Sequence, residues 1–224
     1  MKKERSLIIA IDGPAGAGKS TVAKILAKKL GYLHLNTGAM YRAITLKALQ
    51  NGVDLDDEDA LVNLAKNSLI EFRDGGSRII LDGNDVSKEI KTPDIDKNIS
   101  IVVKHPRLRD IMVDQQRKIG EKGNIVSEGR DITTVVFPDA EVKIYLDASL
   151  EERAKRRLGE LKRKGYNLNI EQVQNETARR DESDRTREYG ALRLSEDAIP
   201  IDTTNLTIDE VVQKILEIVE KRKL

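Results

Sequence analysis

The sequence predicts an α/β protein built on a parallel, doubly wound sheet with helices on both faces. Three observations support this fold class. Short, continuous apolar runs such as Leu7–Ile11 are typical of strands that are buried on both faces. These runs alternate along the chain with segments whose apolar residues recur at helical spacing. A glycine-rich turn, 13–18, joins the first strand to the first helix.

The composition limits the classes of function that fit. The chain has 224 residues, of which 39% are hydrophobic and 34% charged, and this is typical of a globular protein with one core and room for a small insert. A formal net charge of +1 provides no basic field for a nucleic acid polymer. The absence of cysteine excludes disulfides and favours the cytoplasm. The run Leu7–Ile11 is too short to span a membrane. The near-neutral charge and the lack of a long apolar stripe lead us to expect a monomer.

The first elements can be justified in order. After the strand, apolar residues at helical spacing predict a helix over Lys19–Leu30, and Gly31 supplies its end. A short apolar strand over 32–35 follows. It leads to Thr37, which is predicted to cap a helix over 38–50.

The next segment follows a different pattern. Residues 57–67 predict a short amphipathic helix. Strands over 69–73 and 78–81 are joined by Asp74-Gly75-Gly76-Ser77, which is typical of a hairpin, and Thr92-Pro93-Asp94 starts another helix. A hairpin within a series of strands and helices predicts an inserted unit, not another strand of the main sheet.

The series of strands and helices then resumes. Its predicted elements are a helix over 106–119, strands over 124–127 and 142–146, a helix opening at the capping box Ser149–Glu152, a helix capped by Asn169, a strand over 199–202, and a helix opening at the capping box Thr207–Glu210.

The turn after the first strand carries the clearest chemical signal. Residues Gly13-Pro14-Ala15-Gly16-Ala17-Gly18-Lys19-Ser20 match G-x-x-x-x-G-K-[ST], the pattern of a nucleotide phosphate-binding loop. Glycines let backbone N–H groups converge on a phosphate chain, and the N-terminus of the following helix attracts its negative charge. Lys19 can reach the β- and γ-phosphates, and the Ser20 hydroxyl can bind Mg²⁺. The flanking strand and helix argue against an accidental match.

Two classes of phosphate-loop protein compete: a switch or motor driven by hydrolysis, and a small-molecule kinase. The guanine motif Asn-Lys-x-Asp of many GTPases does not occur. Arginines crowd the segments 153–164 and 179–187, where they could stabilise the charge of a transferring phosphoryl group. For residues 162–164 a solvated charged face fits equally well. Arg156 and Arg157 favour function, because they follow a strand-end aspartate at the edge where ligands bind.

Several segments together resemble the bacterial cytidylate kinase family of nucleoside monophosphate kinases. These segments are Ile11–Thr21, Thr37–Arg42, Glu128–Asp131, Val135–Ala140 and Arg179–Arg187. The resemblance extends over nearly the whole chain. It implies a P-loop NTPase fold and Mg²⁺-dependent transfer of the γ-phosphoryl group from ATP to CMP or dCMP. It also implies a division of the chain into a core of about 1–62, 102–153 and 167–224, a monophosphate-binding insert of about 63–101, and a short helical lid of about 154–166.

The resemblance assigns roles to individual residues. On the ATP side these are Gly13, Pro14, Ala15, Gly16, Ala17, Gly18, Lys19, Ser20 and Thr21, with Arg153 flanking adenine and Arg157 on the transferring phosphates. Ser20, and Glu128 through water, hold Mg²⁺. The acceptor phosphate is assigned to Arg42, Arg130 and Arg187, the base to Ser100, Arg109 and Asp131, and the sugar to Thr37, Arg180 and Asp184. Lys19, Arg130, Arg157 and Arg187 form the implied catalytic set.

The implied base site has a chemical rationale. A carboxylate beside an arginine matches the exocyclic amine and the N3 and O2 acceptors of cytosine, whereas the carbonyl of uracil would face the carboxylate. Tyr41 fits a contact with the acceptor and a place in the core equally well, and we expect His34 and His105 to be structural. Two alternatives remain open: a kinase for UMP and CMP alike or for another small acceptor, and a nucleotide-dependent binding module.

Overall fold

The computed structural model describes residues 6–163 and 165–223. Its strands are β1 (Ile8–Asp12), β2 (Leu33–Asn36), β3 (Ile70–Arg73), β4 (Arg78–Leu81), β5 (Asn84–Asp85), β6 (Ile125–Glu128), β7 (Val142–Asp147) and β8 (Ile199–Asp202). Its α-helices are α1 (Lys19–Leu30), α2 (Thr37–Gln50), α3 (Glu58–Lys66), α4 (Pro93–Val102), α5 (Pro106–Gly120), α6 (Leu150–Arg163), α7 (Ile170–Thr186) and α8 (Ile208–Lys223).

The main sheet has five strands in the order β2-β6-β1-β7-β8, and every neighbouring pair is parallel. The predicted parallel sheet is therefore confirmed. The first strand in sequence lies at the centre, with β6 and β7 on either side of it. Because the carboxyl ends of parallel strands meet at one edge, the loops after β1, β6 and β7 converge there.

Helices cover both faces of this sheet. Ile9 and Ile11 of β1 are fully buried in a cluster with residues of α1 and α8. Ala10 points to the opposite face, into a cluster with α2 and α5. This alternation explains why β1 reads as a continuous apolar run, since both faces of the strand are covered. Burying each of the two isoleucine side chains stabilises the fold by about 1.5–3 kcal/mol.

The hairpin forms a separate sheet, as its sequence predicts. Strand β3 pairs antiparallel with β4, and β4 pairs antiparallel with β5. The tip of the hairpin rests on the main sheet at Gly76, which has a φ of +92°. A Cβ atom on Gly76 would lie 2.0 Å from the carbonyl oxygen of His34 in β2, so the contact requires glycine.

One predicted cap is wrong. The residue that caps α2 is Asn36, whose side-chain oxygen accepts a hydrogen bond of 2.8 Å from the backbone N–H of Ala39. Thr37 is the first helical residue instead, and its hydroxyl is directed to the carbonyl oxygen of Glu128 at 2.9 Å. Both residues can cap a helix, so the choice between them depends on the tertiary contact that occupies the threonine.

The other predicted caps agree with the structure. Asn169 and Gln172 form a complete capping box, and so do Thr207 and Glu210. At the start of α6, the Ser149 hydroxyl accepts from the backbone N–H of Glu152 at 3.2 Å. None of the helices in the described part of the chain combines the length and apolar character needed to cross a membrane.

Candidate active site

The loop between β1 and α1 is held tightly against its surroundings. Gly13 has a φ of +147°, and a Cβ atom there would lie 1.9 Å from the carbonyl oxygen of Leu146 at the end of β7. Gly16 has a φ of +81° and lies against Arg153, so a Cβ atom there would lie 2.9 Å from the Arg153 Cβ. At these two positions only glycine gives the backbone both the conformation and the space that the loop needs. Contacts with β7 and with Arg153 therefore fix the shape of the loop.

Lys19 begins α1 and points back into the loop. Its side chain is 5% exposed, and its Nζ donates a hydrogen bond of 2.7 Å to the carbonyl oxygen of Pro14. Burial and the nearby Arg130 guanidinium lower the pKa of Lys19 to about 7, although Glu128, Asp12 and Asp184 oppose this shift. A phosphate chain in the loop would supply the missing negative charge. The lysine is thus placed for an anion that the protein alone does not provide.

A hydroxyl and a carboxylate meet beside the loop. The Ser20 hydroxyl donates to Glu128 Oε1 at 2.7 Å, and Nε2 of His34 lies 3.9 Å from the same oxygen. Burial alone would raise the pKa of Glu128, but the His34 ring, the Lys19 ammonium and the Ser20 hydroxyl together hold it below its ordinary value. The group is therefore an anion at neutral pH.

These two oxygens fit a magnesium ion. Mg²⁺ prefers hard oxygen ligands, and in phosphate-transferring sites it takes only one or two from the protein and keeps several waters. The pair formed by Ser20 and Glu128 supplies such oxygens next to the phosphate loop. Within residues 6–163 and 165–223, no group of three or more His, Cys, Asp or Glu side chains could enclose a metal alone. The donor set therefore suits an ion that arrives with phosphate oxygens and water.

Asp12 joins the phosphate loop to the loop that follows β6. Its carboxylate accepts from the backbone N–H groups of Ile132 and Thr133, at 2.9 and 2.7 Å, and from the Thr133 hydroxyl at 2.7 Å. Burial raises the pKa of Asp12 to about 6, in spite of these hydrogen bonds. The bonds fix a π-helical turn, Ile132–Val136, directly after Arg130 and Asp131. Asp12 therefore positions these two site residues relative to the phosphate loop.

Two of the predicted acceptor arginines meet at one carboxylate. Asp184 accepts from Nε of Arg130 at 2.6 Å and from Nη2 of Arg187 at 2.7 Å. Arg180 lies nearby, and part of this residue is exposed to solvent. Desolvation by the surrounding protein groups and the charges of Arg130 and Arg42 lower the pKa of its guanidinium to about 10. Such crowding of cations is typical of a site for a multiply charged anion.

Arg42 and Arg157 meet at a second carboxylate, Asp96. Nη2 of Arg42 lies 2.5 Å from Oδ1 of Asp96, and Nη2 of Arg157 lies 3.3 Å from Oδ2. The three residues come from α2, α6 and α4, so one carboxylate links the predicted core, lid and insert. The sequence predicts a functional role for Arg157 from its place after a strand-end aspartate. The structure brings it to the same cleft as Arg42.

The predicted base-reading pair is present and buried. Arg109 Nη2 and Asp131 Oδ2 form an ion pair whose side chains are 2% and 7% exposed. The guanidinium carbon of Arg109 lies 5.4 Å from the centre of the Tyr41 ring, a cation–π contact. Burial, the largest influence, raises the pKa of the Tyr41 hydroxyl above its ordinary value. Tyr41 thus belongs to the core and also touches the base-reading pair.

Three further predicted residues, Ser100, Thr21 and Arg153, are not bonded to Asp96 or Asp184. Ser100 is exposed on α4, with its hydroxyl 3.5 Å from the Lys97 carbonyl oxygen and directed to its own helix. Thr21 is exposed on α1. Arg153 is 4% exposed and donates to the carbonyl oxygens of Ala148 and Ala15, at 2.9 and 3.0 Å.

The remaining cations of α6 differ from Arg153. Arg156, for which the sequence favoured function, donates to the carbonyl oxygen of Thr203 at 2.7 Å and pairs with Glu152 at 3.0 Å. Lys162 and Arg163 are exposed, and Lys164 lies outside the described residues. The predicted cationic cluster therefore separates into Arg153, which is buried and bonded to the loop, Arg156, which is half-buried against Thr203, and Lys162 and Arg163 on the solvent side.

Sequence reasoning missed three residues that shape the site. Asp12 lies in the segment Ile11–Thr21 but has no role in the predicted site, although an acidic residue that closes a buried strand is itself a signal. Asp181 pairs with Nη1 of Arg153 at 2.7 Å, and Asp96 has no motif around it. His34 was expected to be structural, and it also lies at the edge of the site beside Glu128. His105 is structural, because its Nε2 lies 2.8 Å from the Leu55 carbonyl oxygen.

The fold and the site define a class of protein: a P-loop kinase, with a phosphate loop facing an arginine-lined cleft. The model of the cytidylate kinase family matches residues 9–221. The chain belongs to the cytidylate kinase family.

Individual relatives agree with this assignment. The chain is 54% identical to the cytidylate kinase of Bacillus pumilus (strain SAFR-032), over 99% of this chain and 98% of that one. It is 53% identical to the cytidylate kinase of Bacillus subtilis (strain 168), over 98% and 99%. A solved structure of an uncharacterized protein from Eubacterium ventriosum ATCC 27560 covers 97% of this chain and 99% of its own, with a TM-score of 0.52 and 15% identity. This last likeness concerns the fold alone.

Proposed function

We propose that this protein transfers the γ-phosphoryl group of ATP to CMP or dCMP, giving ADP and CDP or dCDP. The observation that carries the proposal is the buried pair of Arg109 and Asp131, which lies beside the arginines around Asp184. Arg109 can donate to the O2 and N3 edge of cytosine, and Asp131 can accept from its amine. Family membership and the names of the relatives support the same acceptor.

On the donor side, the proposal assigns the phosphate chain to the loop 13–20. Backbone N–H groups hold the phosphates, and the Lys19 ammonium neutralises the charge at the β- and γ-phosphates. Ser20, and Glu128 through water, would hold Mg²⁺, which when bound neutralises phosphate charge and orients the terminal phosphate. Arg153 donates a hydrogen bond to the carbonyl oxygen of Ala15 and so supports the loop. The proposal also assigns to Arg153 a contact with adenine.

On the acceptor side, Arg42, Arg130 and Arg187 would hold the phosphate of the monophosphate. A planar guanidinium can bind two phosphate oxygens at once, which fixes the direction of attack. Arg157 would stabilise the charge that is spread over the transferring group. The attacking group is an ionised phosphate, so no general base is needed, and alignment supplies most of the rate. Thr37, Arg180 and Asp184 are assigned to the sugar.

The division into moving parts belongs to the same proposal. The insert is taken as about 63–101, the lid as about 154–166 and the core as the rest of the chain. A kinase must exclude water, because water would otherwise accept the phosphoryl group of ATP. The link from Arg42 to Arg157 through Asp96 supports a lid and insert that meet over the cleft.

We further propose that the protein acts as a monomer in the cytoplasm, with small-molecule partners alone. The near-neutral charge of +1 supports the absence of a polymeric nucleic acid partner. Light scattering coupled to size-exclusion chromatography should give a mass near the chain mass of 25.1 kDa. A mass near twice that value would contradict the monomer.

An acceptor screen tests the function. Purified protein with Mg²⁺ and ATP is offered CMP, dCMP, UMP, AMP or GMP, and ADP formation is followed. We expect CMP and dCMP to be phosphorylated at least about 10²-fold more efficiently than UMP, because a buried carboxylate faces the position that distinguishes the two bases. Equal rates with UMP would favour the broader pyrimidine kinase. ATP turnover that ignores every acceptor would indicate a nucleotide-dependent binding module.

A further inference from the structure

Asp96 lies between two arginines that the proposed function needs. Its Oδ1 is 2.5 Å from Nη2 of Arg42, which is assigned to the acceptor phosphate. Its Oδ2 is 3.3 Å from Nη2 of Arg157, which is assigned to the transferring phosphoryl group. Each carboxylate oxygen therefore takes one guanidinium, and a phosphate group could engage the same two partners with two of its own oxygens.

The surroundings keep Asp96 negatively charged. Burial opposes its ionisation, but Arg42, Arg157 and Arg180 together hold the pKa of the Asp96 carboxyl below its ordinary value. The side chain is 24% exposed, so it is neither sealed in the core nor free in solvent. A carboxylate held in this way is a ready-made anion at the entrance to a cationic cleft.

Both arginines also have a second contact that does not involve Asp96. Nη1 of Arg42 donates to the carbonyl oxygen of Ile90 at 3.1 Å, and Nη1 of Arg157 lies 3.2 Å from Oε2 of Glu160. Removing the charge of Asp96 would therefore leave each guanidinium with one anchor. The effect of the charge can then be separated from a loss of arginine position.

We propose that Asp96 is an internal competitor of the acceptor's phosphate group and that it sets the affinity for the acceptor. The assignment of Arg42 and Arg157 to phosphate groups rests on the proposed function. In the free protein Asp96 neutralises these two cations. A phosphate that enters the cleft must exchange with the carboxylate or bind beside it, and either arrangement weakens its attraction to Arg42.

The substitution Asp96→Asn tests this role, because it removes the charge and keeps the shape. Titration calorimetry should show CMP binding about threefold tighter or more than in the wild type, since one competing ion pair is lost. Cytidine, which lacks the phosphate, should bind with unchanged affinity. Unchanged or weaker CMP binding, or equal tightening of cytidine, would overturn the inference. A purely structural role of Asp96 would not tighten phosphate binding.

Two further variants serve as controls. Asp94→Asn removes the same charge from the same helix, where Asp94 is exposed and bonded to Asn98 at 3.1 Å, and it should leave the CMP affinity unchanged. Asp96→Glu keeps the charge and should bind CMP as weakly as the wild type. Tightening in the Asp94→Asn variant would mean that general charge, not the bridge, sets the affinity, and would refute the proposal.

Titration with inorganic phosphate separates this inference from the proposed function. If the wild type neither binds nor phosphorylates CMP, the acceptor assignment is wrong, yet Asp96→Asn should still bind inorganic phosphate more tightly than the wild type. Equal affinity of the two proteins for inorganic phosphate would overturn the inference for any acceptor. If the wild type phosphorylates CMP and Asp96→Asn binds it no more tightly, the function stands and the inference fails.

Discussion

The phosphate loop and the acceptor cleft face each other but are built in different ways. The loop is one continuous stretch, 13–20, formed by backbone groups and fixed by glycines that touch β7 and α6. The cleft is assembled from arginines on separate elements, and four of them are paired with a carboxylate: Arg42 and Arg157 with Asp96, and Arg130 and Arg187 with Asp184. The shape of the loop is therefore fixed by its contacts with the fold, whereas the cleft contains carboxylates that, in our proposal, a substrate has to replace or join.

The largest expected effect comes from removing the charge of the loop. Lys19→Ala should lower kcat/KM by about 10³-fold or more, because the ammonium stabilises charge that develops during transfer. The fold should remain, since the buried ammonium is stabilised poorly in the free protein. Steady-state kinetics and thermal unfolding measure the two quantities. Lys28→Ala, at an exposed site on the same helix, is the matched control, and a fully active Lys19 variant would contradict the assignment.

A smaller and more selective loss is expected at the base-reading pair. Asp131→Ala should reduce the preference for CMP over UMP by about 10²-fold while changing the KM for ATP by about twofold or less. The variant leaves Arg109 buried without its partner, which costs about 3–5 kcal/mol of stability, so the assay belongs well below the unfolding temperature. Asp114→Ala removes an exposed carboxylate from the helix that carries Arg109 and should change neither parameter. Equal losses toward ATP and CMP would place Asp131 outside base recognition.

The smallest expected effect is the uptake of a proton by Lys19 when ATP binds. The pKa of Lys19 is about 7 in the free protein, so at pH 8 the side chain is mostly neutral. The negative charge of ATP raises this pKa, so binding at pH 8 should take up as much as about one proton. Below about pH 6 the lysine is already charged, and its contribution disappears. Calorimetry in buffers of different ionisation enthalpy measures the uptake, and Lys19→Ala should abolish it.

The difference between a continuous loop and a cleft assembled from distant segments also explains which features the sequence could predict. The loop, its strand and its helix follow from local patterns: a glycine at each constrained position, a buried apolar run and a helical repeat. The hairpin insert was equally local, because Asp74–Ser77 marks its turn. The parallel sheet followed from the alternation of strands and helices, and the structure confirms it, whereas the order of the strands was not predicted.

The partners of the arginines could not be predicted from local patterns. Asp96 is 54 residues from Arg42 and 61 from Arg157 in sequence, and no spacing rule connects them. The prediction of the residue that caps α2 was wrong for the same reason. Asn36 and Thr37 have similar local preferences, and a hydrogen bond to Glu128, far along the chain, decides between them. Ion pairs and contacts between distant segments depend on the finished tertiary structure.

The carboxylate at the end of β1 has a consequence for movement. Asp12 accepts hydrogen bonds from Ile132 and Thr133. The start of the phosphate loop and the turn that follows Arg130 and Asp131 therefore form one rigid block. We therefore expect any movement that opens or closes the proposed cleft to occur in α4 and α6, and not in this block. The distance between the triphosphate in the loop and the groups proposed to bind cytosine would then be fixed. Substrates of the wrong length could not reach both sites at once.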